Sequence, residues 1–214
     1  MPPANVAIIG DSFPNRLLID IRRGAMEEKY TENLNIDSFV GRVQWLTRGG
    51  LTLPKLLSDT QLLHPPTPFT HAILHLGSND LTHVGPRQFV HNITHSLWPR
   101  LQSLGCRHLL ICQALYRRLG KYTTTLNIPE YNSKVDMLNL LLKNMDVPGI
   151  SYWEHRDIIE CGSLKKVWNN DGVHLAPNGH PFFWRSLRGA VLRCLTIHER
   201  YISWKPAADL LLGF

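Results

Sequence analysis

Four short polar clusters punctuate this 214-residue chain: Gly10-Asp11-Ser12, Arg48-Gly49-Gly50-Leu51-Thr52, Gly77-Ser78-Asn79-Asp80 and Asp171-Gly172-Val173-His174. Together they hold a hydroxyl, several hydrogen-bond donors, an imidazole and a carboxylate, which is the inventory acyl transfer requires. A Ser hydroxyl is a weak nucleophile until a neighbouring imidazole takes its proton, and His suits that task because its unperturbed pKa lies near about 6.5. A carboxylate three residues earlier, as Asp171 stands to His174, can bond the far ring nitrogen and fix the tautomer. A tetrahedral oxyanion then needs preorganised donors, for which the Ser12 backbone N–H, an N–H of the Gly turn and the Asn79 amide are candidates. Taken alone, Asp11 and Ser12 read as a helix cap. The three later clusters turn the reading towards chemistry.

Each cluster adjoins an element able to hold it. Val6-Ala7-Ile8-Ile9 reads as a buried strand stopped by Gly10, and residues 13–26 as a helix with Phe13, Leu17, Leu18 and Ile21 on its apolar face. Residues 39–46 predict an edge strand, and Leu53-Pro54 a helix start with proline in the first turn. Residues 64–68 form a Pro-rich rigid loop. Residues 70–76, 108–112 and 150–153 predict three further strands. Residues 86–104, 132–143 and 177–196 predict helices, with a long polar loop over 116–131. Strand and helix alternate, so right-handed crossovers give a parallel sheet with helices on both faces. In such sheets ligands sit at the carboxyl ends of the strands, where Ser12 and Asn79 fall. Residues 1–197 make one domain, and residues 198–214, with Tyr201, Trp204 and a Leu run, form a tail of unassigned role.

Hydrophobic residues make up 43% and charged residues 19% of the chain, which excludes wholesale disorder. No apolar run approaches the length of a membrane span, and residues 1–5 leave no room for a signal peptide before the first strand. Cys106, Cys112, Cys161 and Cys194 lack metal-type spacing and read as free thiols in a reducing, intracellular compartment, cytoplasmic or nuclear. Charge is uneven: residues 1–84 hold seven Lys/Arg against eight Asp/Glu, and residues 85–214 sixteen against nine. A basic second half is compatible with contact to nucleic acid or an anionic membrane, although no basic run or aromatic RNA-binding signature accompanies it.

In order and spacing, Gly10-Asp11-Ser12, Gly50, Gly77-Ser78-Asn79-Asp80 and Asp171-Gly172-Val173-His174 resemble the SGNH/GDSL hydrolase family over residues 6 to about 195. The resemblance implies a three-layer α/β/α, flavodoxin-like fold with a five-stranded parallel sheet. It implies Ser12 as nucleophile, His174 as base and Asp171 as its partner, with Ser12, Gly50 and Asn79 forming the oxyanion hole. Gly50 is preferred to Gly49 because Gly50-Leu51-Thr52 matches the family's Gly-x-Thr/Ser pattern. Pro14 rules out the Gly-x-Ser-x-Gly elbow of the α/β-hydrolases. A narrower likeness joins Ile111-Cys112-Gln113, Trp153-Glu154-His155-Arg156, the Asp171 cluster with Leu175, and Arg185-Ser186-Leu187-Arg188-Gly189-Ala190. These look like the SGNH domains carried by eukaryotic retrotransposons, which implies one domain of a larger protein.

The activity so implied is hydrolysis of small O-acyl or lipid esters through an acyl-enzyme, with no metal or cofactor. Two rivals stand beside it: a non-catalytic lipid- or nucleic-acid-binding module of a mobile-element protein, and a carbohydrate O-deacetylase. Arg117, Arg118 and Lys121 lie in the loop after the fourth strand and form a candidate substrate rim favouring anionic esters. His180 is the rival base, lacking a carboxylate three residues before it. His91 and His95, at helical spacing, read as surface residues, His71 and His75 as packed core, and Asp11 and Asp80 as turn-shaping carboxylates.

Overall fold

Alternation along the first strand, β1 (Ala4–Gly10), sends Val6 and Ile8 to one face of the sheet and Ala7 and Ile9 to the other, and all four are fully buried. A strand apolar on both faces needs cover on both. The computed structural model describes residues 4–65, 67–156, 158 and 167–211, with residues 198–211 described for their backbone alone. It supplies that cover in three layers. β1 lies between β2 (Gly41–Thr47) and β3 (His71–His75), followed by β4 (His108–Cys112) and β5 (Ile150–Trp153). The order is β2-β1-β3-β4-β5 and every pair is parallel, as the alternation predicts, with β2 on an edge.

On one face Ala7, Ile9, Leu74 and Ile111 pack with α2 (Leu53–Ser58), α3 (Pro86–Asn92), α4 (Trp98–Ser103) and α5 (Ile128–Lys143). On the other, Val6, Ile8, Ile73 and Leu110 pack with α1 (Ser12–Arg22) and α6 (His180–Leu211). The chain leaves β1 towards β2 on one side and returns to β3 on the other. This reversal opens a crevice at the carboxyl end of β1, the place where open α/β sheets bind ligands.

Several boundaries differ from the sequence expectation. The helix expected over 86–104 is interrupted by a π turn at Ile93–Leu97 before α4 begins with Pro99 in its first turn. Pro99 lacks an N–H and its ring clashes with the preceding turn of a regular helix, and the wider turn makes room. α1 stops at Arg22 because Gly24 adopts φ +66°. α5 starts earlier than expected, at Ile128, because the Asn127 side chain caps it through Glu130 N–H. At the C-terminal end a 3₁₀ turn at Pro177–Gly179 precedes α6, whose backbone runs unbroken past residue 197 to Leu211. Cys106, Cys112 and Cys194 are buried free thiols, and burial pushes the Cys106 and Cys194 pKa values up to about 11 and about 12. Cys161 lies outside the described residues.

Candidate active site

The tight passage from β1 into α1 fixes Ser12. Asp11 takes the helix-cap role, its carboxylate accepting the Phe13 N–H at 3.1 Å, which leaves the Ser12 hydroxyl unused by the helix. The cap reading of this stretch therefore holds for Asp11, and the Ser12 hydroxyl stays available for another partner. Gly10 is required here because a β-carbon would overlap the Pro14 ring and stand 3.0 Å from the His75 carbonyl oxygen.

The Asp171–His174 loop brings its groups to the same point from the far end of the chain. An antiparallel bridge between Trp168 and Leu175 closes the loop, and Asn169 N–H donates to His174 C=O at 2.9 Å. Asp171 Oδ1 accepts from the Val173 and His174 N–H groups at 2.9 and 2.8 Å, while Oδ2 lies 2.8 Å from His174 Nδ1. His174 Nε2 lies 2.9 Å from Ser12 Oγ, across 162 positions of sequence. Burial works against ionisation of Asp171, but the His174 and Val173 N–H groups and the imidazole outweigh it and hold the carboxyl below its usual range. The acceptor facing Nδ1 is thus a carboxylate, which places the imidazole proton on Nδ1 and leaves Nε2 to accept from Ser12.

A second loop braces this one. Arg118 and Tyr122 donate their N–H groups to the carbonyls of Gly172 and Asp171 at 2.8 and 3.0 Å, and the fully buried Thr123 hydroxyl donates to Arg118 C=O at 2.6 Å. Gly172 sits at φ +79°, where a β-carbon would overlap the Arg118 carbonyl and stand 2.7 Å from Thr123 Oγ1. Gly172→Ala is expected to cost about 2 kcal/mol from the left-handed backbone and the overlap. Thermal denaturation should show Tm falling by roughly 4–8 °C, and an unchanged Tm would contradict this role for the glycine.

The Gly turn and the Asn79 turn complete the site. Gly50 adopts φ +67° in a turn closed by Leu51 N–H to Arg48 C=O, and Asn79 Nδ2 donates to Leu51 C=O at 3.2 Å. Asp11 and Asp80 shape their turns, as expected, and also tie separate turns together. Ser78 Oγ donates to Asp11 Oδ2 at 3.0 Å, and Leu53 N–H to Asp80 Oδ1 at 2.8 Å.

Burial pushes the Asp80 carboxyl up to about 6, with the hydrogen bond from Leu53 opposing and nearby Asp11 adding to the rise. An acid with a raised folded pKa binds more protons folded than unfolded, so its share of stability is whole below the unfolded pKa of about 3.9 and is lost as pH rises through about 6. A shift of this size corresponds to about 3 kcal/mol. Asp80→Asn keeps an acceptor for Leu53 while removing the titration. Its Tm is expected to exceed that of the wild type by roughly 6–12 °C at pH 8 and to converge with it near pH 4. Parallel Tm profiles across that range would show that Asp80 does not titrate in it.

Ser12, Gly49, Gly50, Asn79, Arg117 and His174 line one cleft of about 510 Å³, together with Asn15, Arg16, Ile19, Tyr122 and Val173. Arg16 was not anticipated: its guanidinium lies 3.6 Å from Asp171 Oδ2. The signal was present, because Ser12, Asn15, Arg16 and Ile19 recur at helical spacing on the face of α1 opposite its apolar stripe. Arg118 and Lys121 do not line the cleft; the Arg118 guanidinium lies 5.1 Å over the Trp168 ring and Lys121 Nζ 5.9 Å over Tyr122. His180 stands apart from Ser12, its Nδ1 2.8 Å from Asp20 Oδ2. His91 and His95 stack on each other with centroids 4.0 Å apart on an exposed helix surface. His71 and His75 are both buried. His75 packs against Phe13, His155 and Phe183 beneath the site with Nδ1 3.7 Å from Asp11 Oδ1, yet among the described residues neither ring nitrogen has a hydrogen-bond partner, so the expectation of satisfied packing holds for its ring contacts alone. Among the described residues, no group of three His, Cys, Asp or Glu is arranged to hold a metal, and no helix is long and apolar enough to cross a membrane.

No family model matches the chain, and no curated protein matches it. Solved structures do. A protein from Slackia heliotrinireducens, provisionally described as an SGNH hydrolase, superposes with a TM-score of 0.63 at 14% identity, covering 87% of this chain and 98% of that one. A GDSL-like lipase from Bacteroides thetaiotaomicron gives 0.59 at 14% identity, covering 91% and 92%. The psychrotrophic esterase EstA from Pseudoalteromonas sp. gives 0.53 at 13% identity, covering 90% and 98%. At these identities the likeness shows the fold: the chain has the α/β architecture of SGNH hydrolases.

Proposed function

We propose that this chain is a serine ester hydrolase of the SGNH/GDSL type, acting on small O-acyl or lipid esters through an acyl-enzyme. The observation that carries the reading is the hydrogen-bonded run from Asp171 through His174 to Ser12, at 2.8 and 2.9 Å, opening into a cleft that also holds Gly50 and Asn79. In the first half-reaction Ser12 Oγ attacks the ester carbonyl carbon while His174 Nε2 takes its proton. The Ser12 and Gly50 N–H groups and the Asn79 amide then receive the negative charge on the carbonyl oxygen. As the tetrahedral adduct collapses, the C–O bond to the leaving group breaks and His174 returns its proton to the departing alkoxide. In the second half-reaction water attacks the acyl-Ser12 carbonyl carbon while His174 Nε2 takes its proton; the bond from that carbon to Ser12 Oγ then breaks, His174 returns the proton to Ser12 Oγ, and the carboxylic acid leaves. Asp171 stabilises the imidazolium in both halves.

Arg16, whose side chain is partly exposed on the cleft wall, brings a positive charge there, which supports a bias towards esters bearing an anionic group. The setting we propose is the intracellular esterase domain of a retroelement protein, with the basic second half contacting nucleic acid or an anionic membrane. Hydrolysis of p-nitrophenyl acetate, butyrate and octanoate, and of an acetylated monosaccharide, tests the reading and orders its substrates. Turnover of a p-nitrophenyl ester is expected. Turnover confined to the sugar would make the chain a carbohydrate O-deacetylase. No turnover of any ester, with salt-dependent nucleic-acid or vesicle binding, would make it a binding module.

A further inference from the structure

Arg117 lines the cleft, as its place on the expected substrate rim predicts, but the Nη2 end of its guanidinium is turned into the protein. Its Nη2 donates to Ser78 C=O at 2.8 Å and to Asn79 Oδ1 at 3.3 Å, and the group lies 4.6 Å over the Tyr131 ring. The Tyr131 hydroxyl donates to the same Ser78 carbonyl at 2.7 Å. The backbone beneath is clamped to α5: Arg117 N–H donates to Asn132 Oδ1 and Asn132 Nδ2 donates to Arg117 C=O, each at 3.0 Å. Asn139 clamps Ala114 in the same way, at 2.9 and 3.0 Å. The guanidinium is therefore delivered to the Asn79 turn by a fixed backbone.

We infer that Arg117 is the positioning residue of Asn79, holding its amide with the nitrogen turned to receive the oxyanion. This rests on the esterase reading for its consequence in catalysis, though not for its geometry. An amide has one acceptor end and one donor end. Asn79 faces a donor, Arg117, on one side and an acceptor, the Leu51 carbonyl, on the other. Only one orientation satisfies both, so the amide cannot flip without breaking two bonds. One Nδ2 hydrogen is used by Leu51, and the second remains for the substrate oxygen. A cation on Oδ1 also draws electron density from the amide nitrogen and strengthens its N–H donors.

Two readouts test this. In kinetics with neutral p-nitrophenyl acetate, Arg117→Ala is expected to lower kcat about tenfold with KM within about twofold. Arg117→Lys, which keeps a charged donor, should recover part of the loss. In an Asn79→Ala background, Arg117→Ala should change kcat by less than about twofold, because a residue acting through Asn79 has nothing left to position. Independent, additive losses would overturn the inference. So would a KM effect confined to anionic esters, which would make Arg117 a substrate contact. The second readout needs no turnover. In ¹H–¹⁵N spectra the Asn79 side-chain amide peaks, assigned by their loss in Asn79→Ala, should shift and broaden in Arg117→Ala and stay sharp in the wild type. Unmoved peaks would overturn the inference whatever the activity. Moved peaks in a protein without esterase activity would retain the positioning role and reject the esterase reading.

Discussion

Ser12→Ala is expected to lower kcat for p-nitrophenyl acetate by at least on the order of 10⁴-fold, leaving the fold intact. The chemical loss is large because alanine leaves no atom to carry the acyl group, and what survives is the activation of water by His174 within a preorganised donor set. The structural loss is small because Asp11 caps α1 and, among the described residues, the Ser12 hydroxyl bonds the His174 ring alone. Tm should stay within roughly 1–2 °C of the wild type. The pairing of these outcomes matters: a comparable loss of activity with a large fall in Tm would mean the substitution acts through the fold.

Asp171→Asn is the second large effect, and it works through a proton. The asparagine oxygen can keep the Val173 and His174 N–H bonds that shape the loop. Its NH₂ then faces His174 Nδ1 in place of the carboxylate oxygen now 2.8 Å away. That donor requires Nδ1 to be an acceptor, so the imidazole proton moves to Nε2. The nitrogen 2.9 Å from Ser12 Oγ then presents a hydrogen where it must accept one. A drop in kcat on the order of 10⁴-fold is expected at neutral pH, with little change in KM. Arg16, 3.6 Å from the carboxylate, loses its partner in the same variant. Arg16→Ala alone therefore serves as the control, and a loss equal to that of Asp171→Asn would assign the effect to the guanidinium.

The residues that were legible in the sequence are those whose roles depend on chain neighbours or on scarce chemistry. Gly10-Asp11-Ser12 after an apolar run fixes a strand end and a cap, and Asp171 and His174 three apart fix a carboxylate–imidazole pair. Strand and helix alternation predicted the parallel sheet, with β2 correctly on its edge. What was missed depends on side chains that meet only after folding. Asp20 reaches His180 from α1, and Arg117 reaches Asn79 across 38 positions. Nothing in the local sequence of either arginine or histidine signals such a partner. The π turn before Pro99 was hidden for a different reason, since a continuous apolar pattern on both sides masks a change in helix pitch.

A covalent bond to Ser12 is the most direct mark of its role as nucleophile. Incubation with a phosphonate ester carrying a p-nitrophenolate leaving group, followed by intact-mass and peptide-mapping spectrometry, measures it. One phosphonyl group per chain is predicted, located on the peptide containing Ser12, with stoichiometric release of p-nitrophenolate and no adduct in Ser12→Ala. A wild-type protein that remains unmodified, or an adduct that persists in Ser12→Ala, would contradict the assignment of Ser12 as nucleophile.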